Sequence, residues 1–171
     1  MSKSNVHIEK ADGAYRLTAE QWIEQPIDRV FAFFSDAFNL ERITPDFLKF
    51  EVTTTRPIKM AEGVLIDYRL KVRGMPMRWR SRIAVWNPPH EFVDEQVKGP
   101  YLLWYHRHQF EAHGERTLVR DIVDYRVPGG PLVHALLVKH DVQQIFAYRG
   151  DVLHAMFNVA SESAATNEQA A

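Results

Sequence analysis

The chain has 171 residues and no cysteine, which excludes disulfide bridges and thiolate metal ligands. It has no apolar run long enough to span a bilayer, and residues 1–10 lack the apolar stretch of a secretory signal. An excess of charge is also missing: 21 basic and 22 acidic residues leave a net charge of −1, so no overall field attracts nucleic acid or membranes. We therefore expect a cytoplasmic protein with no nucleic-acid partner.

The length and the 46% hydrophobic content are typical of one globular domain with a buried core. No internal repeat or linker divides the chain. We predict a single domain over residues 1–159, of which the first ten or so residues are loose. The last stretch, residues 160–171, is small and polar and is predicted to be a disordered tail.

Alternating apolar residues predict strands over most of the chain. The clearest case is Val64–Val72, in which apolar residues alternate with Asp67, Arg69 and Lys71. Gly and Pro clusters mark the turns between strands. The predicted strands are Tyr15–Ile23, Phe47–Thr55, Val64–Val72, Met77–Val85, His90–Val97, Leu102–Phe110 and Thr117–Val127.

Helical segments flank this run of strands. Pro26 suits the first turn of one short helix, and Asp36 suits the N-cap of a second. From Leu132 to about Val159 the apolar spacing is helical and no proline interrupts it. The sequence thus predicts an α+β fold: a curved antiparallel sheet of about seven strands wrapped around a long C-terminal helix, with two short helices after the first strand.

Four polar residues fall on the face of the predicted sheet that is otherwise apolar: Asp94, His106, His108 and Asp121. Buried polar groups are costly unless they have hydrogen-bond partners or a function. The pattern favours a hydrophobic cavity between sheet and helix, partly wet, where a small molecule binds.

The turns decide which of these residues face each other. A two-residue turn at His113-Gly114 places His106 opposite Asp121. A three-residue loop over Gly99–Tyr101 places Asp94 opposite His106, whereas a two-residue loop there turns Asp94 outward.

We favour the three-residue loop because Phe92 then points inward. In the same scheme a turn at Gly74-Met75 places Tyr68 opposite Ser81, and Gln96 joins them in the neighbouring row. The sequence therefore predicts two adjacent polar rows on the inner face.

A histidine between two carboxylates can serve as a general acid or base, which makes His106 the candidate catalytic residue, oriented by Asp121 or Asp94. The same residues can instead form a self-satisfied buried network, or donate hydrogen bonds to an oxygen of a ligand. His106 and His108 also have the spacing of metal ligands, and Asp94 or Asp121 could be the third ligand of a two-histidine-one-carboxylate site. Any H-x-H on a strand shares a face, however, so we predict no metal and no cofactor.

Arg149 follows the apolar stripe of the last helix, between Ile145 and Leu153. Its guanidinium can bind a ligand carboxylate or carbonyl, pair with an inward aspartate, or reach the solvent at the rim. Together with inward-facing aromatic and polar residues of the sheet it completes the candidate ligand contacts. These are Tyr68, Trp79, Gln96, Trp104, His108 and Arg149.

Basic residues crowd the outer face of one predicted hairpin. They are Arg69, Lys71, Arg73, Arg78, Arg80 and Arg82. Such a face can meet an anionic partner such as a membrane surface or an acidic protein, but we favour a solvated face on which the long side chains spread apart.

Local motifs spread from Tyr15 to Phe157 resemble one superfamily. They are Trp22-x3-Pro26 before Val30-Phe31-x-Phe33-Phe34, Asn39-Leu40-x3-Thr44-Pro45, Gly63 leading into Tyr68, Phe92-Val93-Asp94-Glu95-Gln96, Gly99-Pro100-Tyr101, and Trp104-x-His106-x-His108-x-Phe110. With these the chain resembles the START/SRPBCC superfamily of helix-grip proteins, in particular the bacterial polyketide cyclase/dehydrase-like or coenzyme Q-binding-protein-like ligand-binding subgroup.

The resemblance implies a cavity for a hydrophobic ligand and no metal. It leads us to expect binding, or transport, of a polyketide, quinone, isoprenoid or lipid. The alternative it implies is an enzyme of the cyclase or dehydratase type, with His106 as acid or base beside Asp94 or Asp121. A fold shared by many functions does not choose between them.

Overall fold

The computed structural model describes the backbone of residues 5–168 and the side chains of residues 5–157. The strands are β1 (Asn5–Ala11), β2 (Ala14–Ile23), β3 (Glu51–Val52), β4 (Leu65–Val72), β5 (Met75–Asn87), β6 (Glu91–Lys98), β7 (Leu103–His113) and β8 (Arg116–Arg126). The α-helices are α1 (Ile27–Phe34), α2 (Gly130–Val133) and α3 (Lys139–Glu168).

All eight strands pair antiparallel in one curved sheet, in the order β1-β2-β8-β7-β6-β5-β4-β3. Helix α3 covers one side of the inner face and packs closest to β1 and β2. The predicted helix-grip fold, with its sheet around a long C-terminal helix, is confirmed. The sequence predicts about seven strands, and the additional one is β1.

Strand β1 begins at Asn5, so the expectation of a loose N-terminus is wrong for residues 5–10, and residues 1–4 lie outside the described part. A turn at Asp12-Gly13 joins β1 to β2, with φ of 46° and 77° at its two residues. Two left-handed residues are what a type I′ hairpin turn requires, and Asp-Gly is a favoured pair for it. Val6 and Ile8 of β1 pack against the core, which fixes the strand in place.

The two short helices after β2 are present. Helix α1 begins after Pro26. The Asp36 side chain then accepts a hydrogen bond of 3.0 Å from the N–H of Phe38 and caps a 3₁₀ helix over Ala37–Arg42. These segments bring the rings of Phe31 and Phe34 against Phe110 of the sheet.

The strand predicted over Phe47–Thr55 is much shorter in the structure. A second 3₁₀ helix, Asp46–Leu48, follows Pro45, and Lys49 then adopts a left-handed φ of 45°. Extended pairing therefore begins only at β3.

The turn between β4 and β5 lies at Arg73-Gly74, one residue earlier than predicted, with φ of 50° and 81°. Both residues are left-handed, so this turn is also of the I′ type. Tyr68 consequently lies opposite Trp79 and not opposite Ser81.

The turn between β7 and β8 lies at Gly114-Glu115, one residue later than predicted. Gly114 has a φ of 63° and takes the first turn position, where a type II′ turn requires glycine. His106 therefore lies opposite Val123, and His108 lies opposite Asp121. Each of the two registers differs from the prediction by two residues, so every side chain keeps its predicted face.

The C-terminal helical region starts at α2, passes through a π-helical turn over His134–Val138 and continues as α3. Helix α3 buries Val142, Phe146 and Leu153 against the sheet. It overlaps the predicted tail, whose last residues, 169–171, lie outside the described part; disorder over 160–171 stays a prediction. In the described part of the chain no helix is long and apolar enough to cross a membrane.

Candidate functional site

The candidate site lies on the inner face of β6, β7 and β8. Asp94 of β6 lies opposite His106 of β7, as the three-residue loop after β6 predicts. His108 lies opposite Asp121 of β8 in the next row, so the four side chains form a staggered line across three strands. We refer to these four residues together with Arg149 of α3 as the polar cluster.

Short contacts join the polar cluster. Nε2 of His106 lies 2.9 Å from Oδ1 of Asp121, and Nε2 of His108 lies 2.9 Å from Oδ1 of Asp94, both with hydrogen-bond geometry. The two imidazole rings face each other, with centroids 3.7 Å apart and planes tilted by 35°. The alternation of the sequence thus predicts correctly that these four polar side chains meet.

One nitrogen in the polar cluster lacks a hydrogen bond. Nδ1 of His108 lies 2.9 Å from Oδ1 of Asp121, but the carboxylate is out of line with the N–H direction. Among the buried side-chain nitrogens and oxygens of the described residues, it is the atom left without a hydrogen-bond partner. Nδ1 of His106 lies 3.7 Å from Oδ1 of Asp94, which is longer than a hydrogen bond.

Arg149 reaches the polar cluster from α3. Its Nη1 donates a hydrogen bond of 3.3 Å to Oδ1 of Asp121, and its guanidinium lies over the ring of Phe146, 5.1 Å from the centroid. The side chain is buried. Three roles are expected for Arg149, and the structure shows one of them, an ion pair with an inward aspartate.

The electrostatics of the two histidines differ. Burial, together with the charge of the neighbouring His108, lowers the pKa of His106 to about 4. Burial alone would also lower the pKa of His108, but the carboxylates of Asp121 and Asp94 outweigh it and raise that pKa. One imidazolium beside one neutral imidazole is the arrangement that two stacked rings favour, since two positive charges there would repel.

The two aspartates remain ionised. Burial by itself would raise the pKa of Asp121, but Arg149 and the two histidines hold it well below its usual value. Burial opposes ionisation of Asp94 in the same way, and its hydrogen bond from His108 lowers the pKa overall. The Asp94 side chain keeps 21% of its surface exposed, against 7% for Asp121, so Asp94 is the carboxylate of the polar cluster that faces open space.

An aromatic wall continues from the polar cluster along the inner face of the sheet, formed by Trp79, Tyr101 and Trp104. The Trp104 ring lies 5.4 Å from Trp79 and 4.7 Å from Tyr101, measured between centroids. Trp104 also lies edge-on to His106, at 6.3 Å. All three rings of the aromatic wall are only half-buried, because α3 packs toward the β1–β2 side of the sheet.

Two further candidate ligand-binding residues, Gln96 and Tyr68, contact other residues of the protein. Both amide atoms of Gln96 bind the backbone of Tyr101, the nitrogen donating to its carbonyl at 2.7 Å and the oxygen accepting from its N–H at 3.1 Å. Tyr68 is buried beside the Phe50 ring, and burial raises the pKa of its hydroxyl. Gln96 thereby fixes the loop that carries Tyr101.

The sequence analysis missed two inward polar residues. Gln21 donates a hydrogen bond of 2.8 Å to the carbonyl of Gly150 and so ties β2 to α3. A hydrogen bond of 2.8 Å joins Nε2 of His134 to the Tyr125 hydroxyl, and the His134 ring stacks on Tyr15 with centroids 3.4 Å apart. Gln21 follows the same alternation as Leu17 and could have been found from it. His134 lies in the π-helical turn, where helical spacing gives no signal.

Two cavities adjoin the sheet. One of about 10 Å³ lies between β2, β8 and α3 and is lined by Gln21, Asp121 and Arg149 among others, which is room for about one water molecule. The other, of about 470 Å³, lies between the β1–β2 turn and α2 and is lined by Tyr15, Leu102 and neighbouring residues. None of the predicted site residues lines the larger one.

The basic hairpin is largely neutralised by acidic partners. Its ion pairs are Arg69 with Glu51, Arg80 with Asp67, Arg82 with Glu95, and Arg73 with Asp141. These pairs agree with the favoured interpretation of a solvated face, and contact with an anionic partner such as a membrane surface stays the alternative.

The last of these pairs links the sheet to the helix. Arg73, in the β4–β5 turn, donates to both carboxylate oxygens of Asp141 at 3.0 and 2.9 Å and to the carbonyl of Leu137 at 3.1 Å. We call these contacts the latch. The latch closes the space between the β4–β5 hairpin and the start of α3.

Comparison with protein families gives a match over residues 23–147, to the family described as "Polyketide cyclase / dehydrase and lipid transport". The chain belongs to this family. The resemblance to START/SRPBCC proteins is thereby confirmed. No curated protein matches the chain.

Solved structures share the fold of this polyketide cyclase/dehydrase and lipid transport family member. Protein Ms6760 from Mycobacterium smegmatis is 14% identical with a TM-score of 0.65, and the match covers 89% of this chain and 97% of that one. The Zhui aromatase/cyclase from Streptomyces sp. R1128 is 15% identical with a TM-score of 0.59, covering 88% and 96%. The major latex-like protein 151 from Panax ginseng is 13% identical with a TM-score of 0.64, covering 85% and 99%.

Proposed function

We propose that this protein binds, and can thereby carry, a hydrophobic small molecule with oxygen atoms, such as a polyketide, quinone, isoprenoid or lipid. The observation that carries the proposal is the half-buried aromatic wall on the inner face of the sheet, next to the buried polar cluster. Flat aromatic surface favours planar or conjugated ligands, and a few polar groups at its end fix their orientation.

The chemistry of Asp94 narrows the class of ligand. An ionised carboxylate only accepts hydrogen bonds, and Asp94 is the partly exposed carboxylate of the polar cluster. A ligand that meets it therefore presents a hydroxyl or another donor. A hydroxylated ring on the aromatic wall, with its hydroxyl toward Asp94, satisfies both features.

Neither cavity offers space for such a ligand at the aromatic wall and the polar cluster. The cavity beside Asp121 holds about 10 Å³, whereas pockets for small molecules hold about 300 Å³ or more, and the cavity of about 470 Å³ is lined by none of the predicted site residues. We therefore propose that the ligand lies along the aromatic wall and that the β4–β5 hairpin moves away from α3 to admit it. The latch, formed by Arg73 and Asp141, is the contact that this movement breaks.

Native mass spectrometry of the protein as expressed tests the proposal first, since a carrier is expected to retain an organic molecule. Titration with the fluorescent probe Nile red then tests the position. Trp104→Ala and Trp79→Ala should each weaken Nile red binding by about tenfold or more, because each removes a large contact surface. The matched control is Trp22→Ala, on the opposite face of the sheet, which should leave the affinity unchanged.

Equal affinities in the three tryptophan variants would contradict the proposed position. The alternative function, an enzyme of the cyclase or dehydratase type, predicts a different result for substitutions at the same site. In that case His106→Gln keeps ligand binding but lowers turnover of a polyketide substrate by orders of magnitude, with Asp121→Asn or Asp94→Asn acting in the same direction. The family description, polyketide cyclase / dehydrase and lipid transport, makes a polyketide the first substrate to try.

A further inference from the structure

The polar cluster has the donor set of a metal centre, although the sequence analysis predicts no metal. Asp94, His106 and His108 each offer one ligand atom, and these atoms lie within 4.8 Å of one another. The Asp94 Oδ1 atom lies 2.9 Å from Nε2 of His108 and 3.7 Å from Nδ1 of His106. Two donors about 2.1 Å from a metal and about 90–110° apart are separated by about 3.0–3.4 Å. The Asp94–His108 separation is close to this range and the Asp94–His106 separation is longer, so a shared ion requires the His106 ring to move toward it.

The nitrogens that face away from Asp94 share one partner. Nε2 of His106 and Nδ1 of His108 both lie 2.9 Å from Oδ1 of Asp121. Histidine ligands of metals usually donate their second N–H to a carboxylate, which selects the tautomer and orients the ring. Asp121 holds that position behind both rings, and Arg149 supports it in turn.

Two local features are explained by an ion at this position. When Nε2 of His106 donates to Asp121, Nδ1 of the neutral ring is an acceptor that stands beside the Asp94 carboxylate with no proton between them. Nδ1 of His108 lies 2.9 Å from Oδ1 of Asp121 but out of line; with Nε2 bound to a metal and the ring turned into line, Nδ1 would donate to Asp121. When both histidines are neutral, as metal ligands are, two carboxylates face a single guanidinium, and this charge balance favours a cation.

We propose that Asp94, His106 and His108 bind a divalent transition-metal ion, with Asp121 as the positioning residue behind both imidazoles. Two histidines and one carboxylate suit Fe²⁺ or Zn²⁺. The exposed part of Asp94 lies on the open side, which leaves coordination positions for water or for an oxygen of a ligand. The proposal does not depend on the identity of any organic ligand.

Titration of the full-length, chelator-treated protein with Co²⁺, followed by its visible absorption, tests the site. One Co²⁺ per chain is expected, and Asp94→Asn or His108→Gln should weaken binding at least tenfold. Asp121→Asn should weaken it by about 10–100-fold without removing a ligand. The matched control is His113→Gln, which removes an exposed histidine 2.9 Å from Glu111 and should leave Co²⁺ binding unchanged.

Three results would overturn the metal site: no saturable Co²⁺ binding, equal binding in Asp94→Asn, or loss of binding in His113→Gln. Circular dichroism checks that each variant is folded. A measurement on the unmodified protein removes the dependence on variants: paramagnetic Co²⁺ should shift the ring proton signals of His106 and His108 far more than those of His113. Equal shifts would likewise overturn the proposal.

Discussion

At the scale of single residues, the interior is organised around the charge balance of the polar cluster. Removing a charged side chain from water is costly, and the cost is recovered only when each charge meets an opposite charge or a hydrogen bond. Asp121 meets Arg149 and His106, and Asp94 meets His108. Replacing one residue of the polar cluster by alanine would leave another charge buried and unpaired and would destabilise the domain. The tests above therefore use Asp→Asn and His→Gln, which keep the shape and the polarity of the side chain.

His134 illustrates a second buried polar contact whose effect depends on pH. Burial lowers its pKa from 6.5, with further lowering from Lys139 and Lys10 nearby. Tyr125 shares a hydrogen bond with the ring and Tyr15 stacks on it, which hold the ring in this buried position, so folding favours the neutral form.

The free energy of unfolding should therefore fall as the pH drops below about 6.5, because the unfolded chain then binds a proton that folded His134 does not. The contribution is complete above that pH and is lost as the pH falls through the folded-state pKa, at no more than about 1.4 kcal/mol per pH unit for one proton. Urea unfolding of His134→Gln at several pH values should show a smaller slope than the unmodified protein. The exposed control His7→Gln should keep the full slope.

Residue-scale predictions from the sequence succeeded where they depended on the face of a strand. Asp94, His106 and Asp121 all lie inward, although two of the predicted turns are misplaced, because a shift by two residues preserves the face. The detailed pairing could not be predicted, since it depends on which turn residue takes a left-handed conformation. Helical spacing predicts that Arg149 follows the buried stripe, but its choice among three roles depends on helix packing, as does the position of His134.

At the scale of secondary-structure elements, the residues in the turns decide which hairpins form and in which register their strands pair. Asp12-Gly13 builds a hairpin that the sequence analysis overlooked, and Arg73-Gly74 moves the next one by a residue. The same turn carries Arg73 to the helix, where the latch forms. Since the latch spans two elements that are distant in sequence, no local pattern predicts it.

Breaking the latch should speed ligand exchange. Arg73→Ala or Asp141→Asn removes an exposed ion pair that contributes about 1 kcal/mol or less, so the release rate of Nile red should rise by up to about fivefold. Stopped-flow fluorescence measures that rate. Arg69→Ala is the matched control, because Arg69 pairs with Glu51 within the sheet and does not touch the helix. An unchanged rate in Arg73→Ala would show that ligands enter elsewhere.

At the scale of the whole molecule, the eight-stranded sheet and α3 depend on each other at one edge. Strand β1 adds Val6 and Ile8 to the core formed by β2, β8 and α3. The other half of the inner face, including the aromatic wall, is left half-open. The general arrangement was predictable from periodicity, but the contribution of β1 was not, because only two large apolar residues, Val6 and Ile8, alternate there, which is a weak signal for a strand near a chain end.

If β1 stabilises the domain, Ile8→Ala should lower the free energy of unfolding by about 1–2 kcal/mol, since a half-buried side chain loses part of its packing. His7→Ala, on the exposed face of the same strand, should change it by less than about 0.5 kcal/mol. Urea unfolding compares the two variants. Identical values would mean that β1 contributes nothing to stability.

The position of the latch on the surface has a consequence for the cellular setting. Arg73 retains 48% and Asp141 29% of its side-chain surface, so dissolved salt reaches both charges. Screening over about 8 Å at physiological ionic strength weakens such a pair, whereas the buried charges beneath it are shielded from ions. Ionic strength would thus control how quickly the interior exchanges its contents while leaving the selectivity of the interior unchanged.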